Sequence, residues 1–144
     1  MEKLQPILNV VLSFGFFAAV WCYVLFVLGK LGGWKEFARL YPDSHSDRTL
    51  KFTPLSARVG AVGYRNSMLM NLAHDGIHMK PSLFFRLFHP PIFLPWSEIQ
   101  FETEKRFWVE SLVLKLSRTQ TLIRIPAKTG REILAYSSED RPIN

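Results

Sequence analysis

The sequence predicts a mainly β protein. It reads as a small antiparallel barrel or sandwich with a short C-terminal helix, preceded by one N-terminal transmembrane helix. Three observations carry this. Residues 4–29 form a run of 26 without a charge. Residues 50–126 alternate short apolar-patterned stretches with turn signals. Beyond Thr129-Gly130 the apolar spacing becomes helical at Ile133, Leu134 and Tyr136. A chain of 144 residues and 16.7 kDa has room for one modest domain beside the apolar run. Its 48% hydrophobic content against 21% charged is too apolar for disorder. Disulfide stapling is excluded, because the single cysteine, Cys22, lies inside the apolar run.

The N-terminal run is read as a bilayer-spanning helix. Residues 7–28 would rise roughly 33 Å, the thickness of the hydrocarbon layer. Only Asn9 and Ser13 are clearly polar there. The core is too long for a cleaved leader, and no small-residue cleavage site follows. Trp21 directly before Cys22 argues against a lipoprotein anchor. One Lys precedes the run, whereas Lys30, Lys35 and Arg39 follow it. The positive-inside rule therefore places residues 30 onward in the cytoplasm, and the chain in a cell inner membrane as a single-pass protein.

The remaining organisation is a juxtamembrane helix and linker over 30–49, a β domain over 50–136 and a polar tail over 137–144. Trp34, Phe37, Leu40 and Tyr41 mark one face of a short helix that Pro42 stops. Trp34 and Tyr41 suit headgroup level, and Lys35 and Arg39 suit phosphates. Packing of that helix on the domain is the other reading. Strands are expected over 57–64, with Gly60 and Gly63 marking a bulge or close crossing, and over 67–73. His74-Asp75-Gly76 is a hairpin turn leading to a strand at 77–81. Residues 82–88 are a further candidate, followed by 92–96, 97–104, 109–116 and 121–126. These amount to about seven short strands. A helical turn or two then closes the domain.

Three stretches carry a resemblance. Asp75-Gly76-Ile77-x-Met79, Leu87-Phe88-His89-Pro90-Pro91 and Leu94-Pro95-Trp96-Ser97-Glu98-Ile99 occur in an order that resembles small pleckstrin-homology-like and GRAM-like domains. The chain looks most like single-span bacterial membrane proteins of unassigned function that carry one such domain, with the similarity covering roughly residues 55–135. The resemblance implies a PH-like β domain that binds lipids or proteins, often as a scaffold. It supplies no catalytic residues. The loop at 74–76 is nearly neutral and lacks the basic cluster associated with phosphoinositide headgroups.

No motif points to catalysis. Of His45, His74, His78 and His89, only His74 and His78 are close in sequence, and a turn separates them without a third ligand. No nucleophile sits on an elbow or in a glycine-rich loop. The chain is therefore read as a non-enzyme without metal or cofactor. Nucleic acid is not an expected partner, because the apolar strands lack interleaved basic and aromatic residues.

Charge and one apolar segment are more informative. Residues 30–96 hold nine Lys or Arg against four acids, whereas 97–144 hold eight against seven. The basic excess thus lies nearest the anchor, where it suits an anionic leaflet. Lys30, Trp34, Lys35, Arg39, Arg48 and Lys51 are the candidate membrane-surface contacts. Residues 83–96 are rich in Phe, Leu and Pro, and too short to span. They form either two core strands around a proline corner or a protruding patch, whose partner contacts would be Phe85, Phe88, Pro90, Pro91 and Trp96. The function expected is a membrane-anchored, non-catalytic binding or scaffolding module. It contacts a protein partner or the anionic membrane surface. An alternative is an accessory subunit of a membrane enzyme or transporter, with Gly15, Ala18, Ala19 and Cys22 as a small-residue helix face. A small membrane-bound enzyme is the remaining alternative.

Overall fold

The computed structural model describes residues 3–44 and 50–139. Helix α1, Leu4–Leu31, has 28 residues. It is about 42 Å long at 1.5 Å per residue. Pro6 falls in its first turn, where no intrahelical hydrogen bond is lost. Leu25 and Gly29 are buried, while most of its other large apolar side chains are exposed. The helix is long and apolar enough to cross a membrane.

Gly33 takes a left-handed φ of 73° between α1 and the next helix. A side chain there would meet Thr121 Oγ1 at 2.9 Å. Helix α2, Trp34–Leu40, then carries Trp34, Phe37 and Tyr41 into the protein interior. It is the packed linker helix, and Pro42 ends it. The segment after it pairs with a sheet edge: Phe93 N–H donates to the Tyr41 carbonyl at 3.0 Å, and Pro42 bridges Ile92.

Seven antiparallel strands form one sheet curled into a half-barrel. They are β1 Thr53–Val59, β2 Val62–Leu72, β3 Gly76–Pro81, β4 Ile92–Pro95, β5 Ile99–Arg106, β6 Val109–Leu116 and β7 Ile123–Pro126. Their spatial order is β4-β3-β2-β1-β7-β6-β5. The concave face carries alternate residues, as the strand period requires. Leu55, Ala57 and Val59 of β1 join Val62, Tyr64, Met68 and Met70 of β2. Leu112, Leu114, Ile123 and Ile125 continue this core across β6 and β7. Helix α2 fills the concavity at one side. Helix α3, Ala127–Glu139, covers β6 and β7 through Ile133.

The sheet has two structurally distinct ends. At the α1 end, the turn after β1 brings Gly60 beneath the α1–α2 junction: an added Cβ would lie 2.9 Å from the Gly32 carbonyl. Gly60 N–H donates to the Leu122 carbonyl at 3.0 Å, which ties the β6–β7 loop to the same end. The β5–β6 hairpin runs away from there, from the Ile99–Leu116 pair to the Arg106–Val109 pair. At about 3.3 Å per residue its tip lies roughly 23 Å from the α1 end.

Mainly β architecture, seven strands, the N-terminal helix and the C-terminal helix all follow the sequence reading. Three details differ. Residues 57–64 are not one strand: Gly60-Ala61 is a hairpin turn, and β2 runs unbroken through 62–72. Residues 82–88 are no strand: Leu83–Phe85 is a 3-10 turn continued by a loop. Its backbone donors close local turn bonds instead, Phe85 N–H to the Ser82 carbonyl and Arg86 N–H to the Leu83 carbonyl. The third helix is longer than expected, running through the domain boundary at 136 to Glu139. Of the polar tail assigned to 137–144, residues 140–144 lie outside the described residues.

Candidate functional site

Two surfaces of the domain gather exposed apolar and cationic side chains. The first flanks α1. Leu83, Phe84 and Leu87 are 72%, 74% and 52% exposed, respectively, although they belong to a folded segment. The backbone there is held by local bonds, Phe85 N–H to the Ser82 carbonyl at 2.9 Å and His89 N–H to the Arg86 carbonyl at 3.2 Å. The segment also grips α1. Trp21 Nε1 donates to the Phe84 carbonyl at 3.4 Å, and the Trp21 ring lies 5.8 Å from that of Phe85. Phe26 and Phe88 meet edge to face at 5.8 Å. Trp21 precedes Gly29 by eight residues, so these contacts reach about 12 Å back along the helix.

Beneath this contact lies a closed aromatic joint. Gly29 lets α1 approach His89, since a Cβ there would already sit 3.4 Å from the ring. His89 is fully buried. Burial holds its pKa below the usual histidine value, against weaker opposing contributions from the Leu87 and Phe85 carbonyls. Burial also pushes the Tyr64 hydroxyl up to about 12. Tyr64 therefore stays protonated and donates to His89 Nε2 at 3.0 Å. The neutral ring then has its proton on Nδ1, 3.3 Å from the Leu87 carbonyl. Trp34 closes the joint by donating from Nε1 to the Pro90 carbonyl at 2.9 Å. With Tyr64 and His89 both buried, this pair is an internal fastening and not a site open to a substrate.

The structure sorts the sequence-derived contacts. Lys30, Lys35 and Arg39 are exposed on α1 and α2, with Lys35 Nζ 4.4 Å from the Phe26 ring. Trp34 is corrected: at 0% exposure it is a core residue and meets no headgroup. Tyr41, expected beside it, is likewise buried. Lys51 is corrected in position: its carbonyl accepts from Asn71 Nδ2, which places it at the end of the sheet away from α1. Arg48 and His45 lie outside the described residues. In the segment 83–96, both readings hold in part. Ile92 and Leu94 are core, and Trp96 is a half-buried residue bonded to the Ala73 carbonyl. Phe85 is half-buried between Trp21 and Tyr64, Phe88 is 40% exposed, Pro90 is exposed and Pro91 is half-buried. The most exposed apolar side chains of the patch are thus Leu83 and Phe84, which sequence reasoning did not single out.

His78 is buried and bonded through Nδ1 to Asp43 Oδ2 at 2.9 Å, with the Phe93 ring 4.6 Å away. It fastens the linker to β3, whereas His74 is exposed in its turn. Among the described residues, no group of three His, Cys, Asp or Glu side chains is arranged to hold a metal ion.

The second surface runs along the convex side, from Arg58 and Gly63 beside the β1–β2 turn to the β5–β6 tip. Here β7 stops at Pro126 and leaves a cleft of about 810 Å³ between β1–β2 and the β5–β6 hairpin. Arg58, Arg65, Arg106 and Arg124 line it, with one carboxylate, Glu104. Arg124 Nε bonds to Glu104 Oε2 at 2.9 Å, and this contact holds the carboxyl below its usual pKa. Among the described residues, no ion pair involves Arg58, Arg65 or Arg106. Gly63 leaves open space on the floor, and Ser56 is fixed by Asn66, whose N–H donates to Ser56 Oγ at 2.9 Å. Phe107 and Trp108 form the two-residue hairpin tip at φ 47° and 68°. They are 84% and 93% exposed. Asn-Gly ordinarily occupies such a turn. The gap at 105–108 between the expected strands 97–104 and 109–116 could have flagged this tip. The arginine cluster had no local signal, since its members come from four strands. No protein-family model and no curated protein sequence matches the chain.

Proposed function

We propose that this chain is a single-pass protein of a bacterial inner membrane. Its cytoplasmic PH-like domain sits against the bilayer as a non-catalytic binding or scaffolding module. The observation that carries the reading is the exposed segment 83–88 clasped to the last third of α1. If α1 crosses a bilayer, that segment shares the depth of residues 21–29, the end of the apolar span next to the domain.

Magnitudes favour apolar over electrostatic seating. Full burial of one Leu or Phe side chain is worth roughly 1.5–3 kcal/mol. A Lys or Arg near an anionic surface contributes about 1 kcal/mol, and salt weakens it. Leu83, Phe84 and Leu87 together outweigh Lys30, Lys35 and Arg39. The basic residues supplement a seat that the apolar segment forms. The accessory-subunit reading draws on the exposed Gly15, Ala18 and Ala19 face of α1, and leaves the domain's pose unchanged.

The test is membrane extraction and topology of the full chain carrying a C-terminal tag. The protein stays in the membrane pellet after alkaline carbonate washing, and protease added outside spheroplasts leaves the tag intact. Release by carbonate would contradict the anchor, and loss of the tag would reverse the orientation.

A further inference from the structure

We infer that the convex cleft and the Phe107–Trp108 tip form a docking site for an acidic peptide segment of a protein partner. Charge comes first. The lining brings four guanidinium groups together with one carboxylate, a local excess of three positive charges. Among the described residues, only Arg124 has a carboxylate partner there. Arg presents donors in a planar fork that matches carboxylate geometry, so extended acidic side chains suit this cluster.

Shape and apolar surface narrow the ligand. The cleft volume lies within the roughly 300–1,000 Å³ range of ligand sites. Gly63 leaves room on the floor, and Ile125, Pro126 and Val109 give it apolar walls. Phe107 and Trp108 stand at one rim in a left-handed backbone conformation that is strained for a non-glycine residue. Strain that exposes a Trp and a Phe beside arginines produces the composition of protein-interface hot spots. The Phe107–Trp108 rim lies roughly 23 Å along the sheet from the α1 end, while Arg58 and Gly63 pair beside the β1–β2 turn, so the site runs along the sheet as an extended peptide would. The inference goes beyond the seating of the domain, because the cleft is formed by the β domain alone.

The Arg124–Glu104 pair gives a distinctive signature. A ligand carboxylate competes with Glu104 for Arg124, so Glu104→Gln strengthens binding instead of disrupting it. The test uses the full chain in nanodiscs of neutral phosphatidylcholine. The probe is a fluorescein-labelled peptide of alternating Glu and Leu, followed by anisotropy at low and moderate salt. Binding is salt-sensitive, and the same peptide with Lys for Glu does not bind. Arg58→Glu with Arg65→Glu weakens binding at least about tenfold, and Trp108→Ser does so by a similar factor. Glu104→Gln strengthens it severalfold. All these side chains are exposed or half-buried, and unchanged thermal unfolding of each variant separates lost binding from lost folding. No binding of the probe, equal binding by the arginine variants, or preference for a single-stranded oligonucleotide of equal length would overturn the proposal. None of these results bears on carbonate extraction, so the two readings fail independently.

Discussion

His89 shows how one side chain joins the helix to the sheet. Its ring lies under Gly29, accepts from Tyr64 and is shielded from water. Burial keeps it neutral, with a folded-state pKa below the unfolded value of about 6.5. As pH falls below about 6.5, the unfolded chain takes up a proton that the folded chain refuses. Stability is therefore fully present above that value and declines on acidification, by at most about 1.4 kcal/mol per pH unit. Replacing His89 by Gln removes this titration. Thermal unfolding of His89→Gln between about pH 7 and about pH 5 has a shallower pH slope than that of the native chain. Equal slopes would contradict the buried neutral ring. Nothing in the sequence distinguished His89 from the other histidines, because its partners come from positions 29, 34 and 64. The same limit explains Trp34. Its spacing correctly marked the buried stripe of a short helix, but an aromatic residue near an anchor suits either a headgroup or a core.

At the level of elements, alternation and turn chemistry were legible. Asp75-Gly76, the alternating stretches of β5, β6 and β7, and the stop at Pro42 all fall where local rules put them. Errors arose where a tertiary contact decides. Gly60 turns the chain beneath Gly32, which no local pattern records. The 82–88 segment has strand-like composition, yet its apolar side chains face outward along α1. The length of α3 was missed because its polar last turns carry little periodicity. Its packing makes a prediction of its own. A methyl group at Gly130 would lie 2.7 Å from the Leu112 Cβ, so helix and strand must separate. Ala gains about 1 kcal/mol of helix propensity, whereas overpacking costs about 1–3 kcal/mol. The clash wins: Gly130→Ala lowers stability by about 1 kcal/mol in denaturant unfolding. A more stable variant would show that α3 is not packed so closely on β6.

For the whole molecule, the account describes a domain with opposed ends. One end is fixed to α1 by the Trp21–Phe85, Phe26–Phe88 and Gly29–His89 contacts. The other presents strained, exposed aromatics at the β5–β6 tip, beside Arg106. The long apolar helix and the mainly β class were readable from hydropathy and alternation. The polarity was not, because Arg58, Arg65, Arg106 and Arg124 are distant in sequence and only the curl of the sheet assembles them. The central claim is that the bilayer meets the 83–88 segment and leaves the hairpin tip in water. It is tested most directly by placing a polarity-sensitive NBD label at Phe84→Cys or at Trp108→Cys, each in a Cys22→Ser chain reconstituted in liposomes. Brominated acyl chains quench the label at position 84, whose emission is blue-shifted, and leave the label at 108 unquenched. An unquenched label at 84, or equal quenching at both positions, would contradict the account.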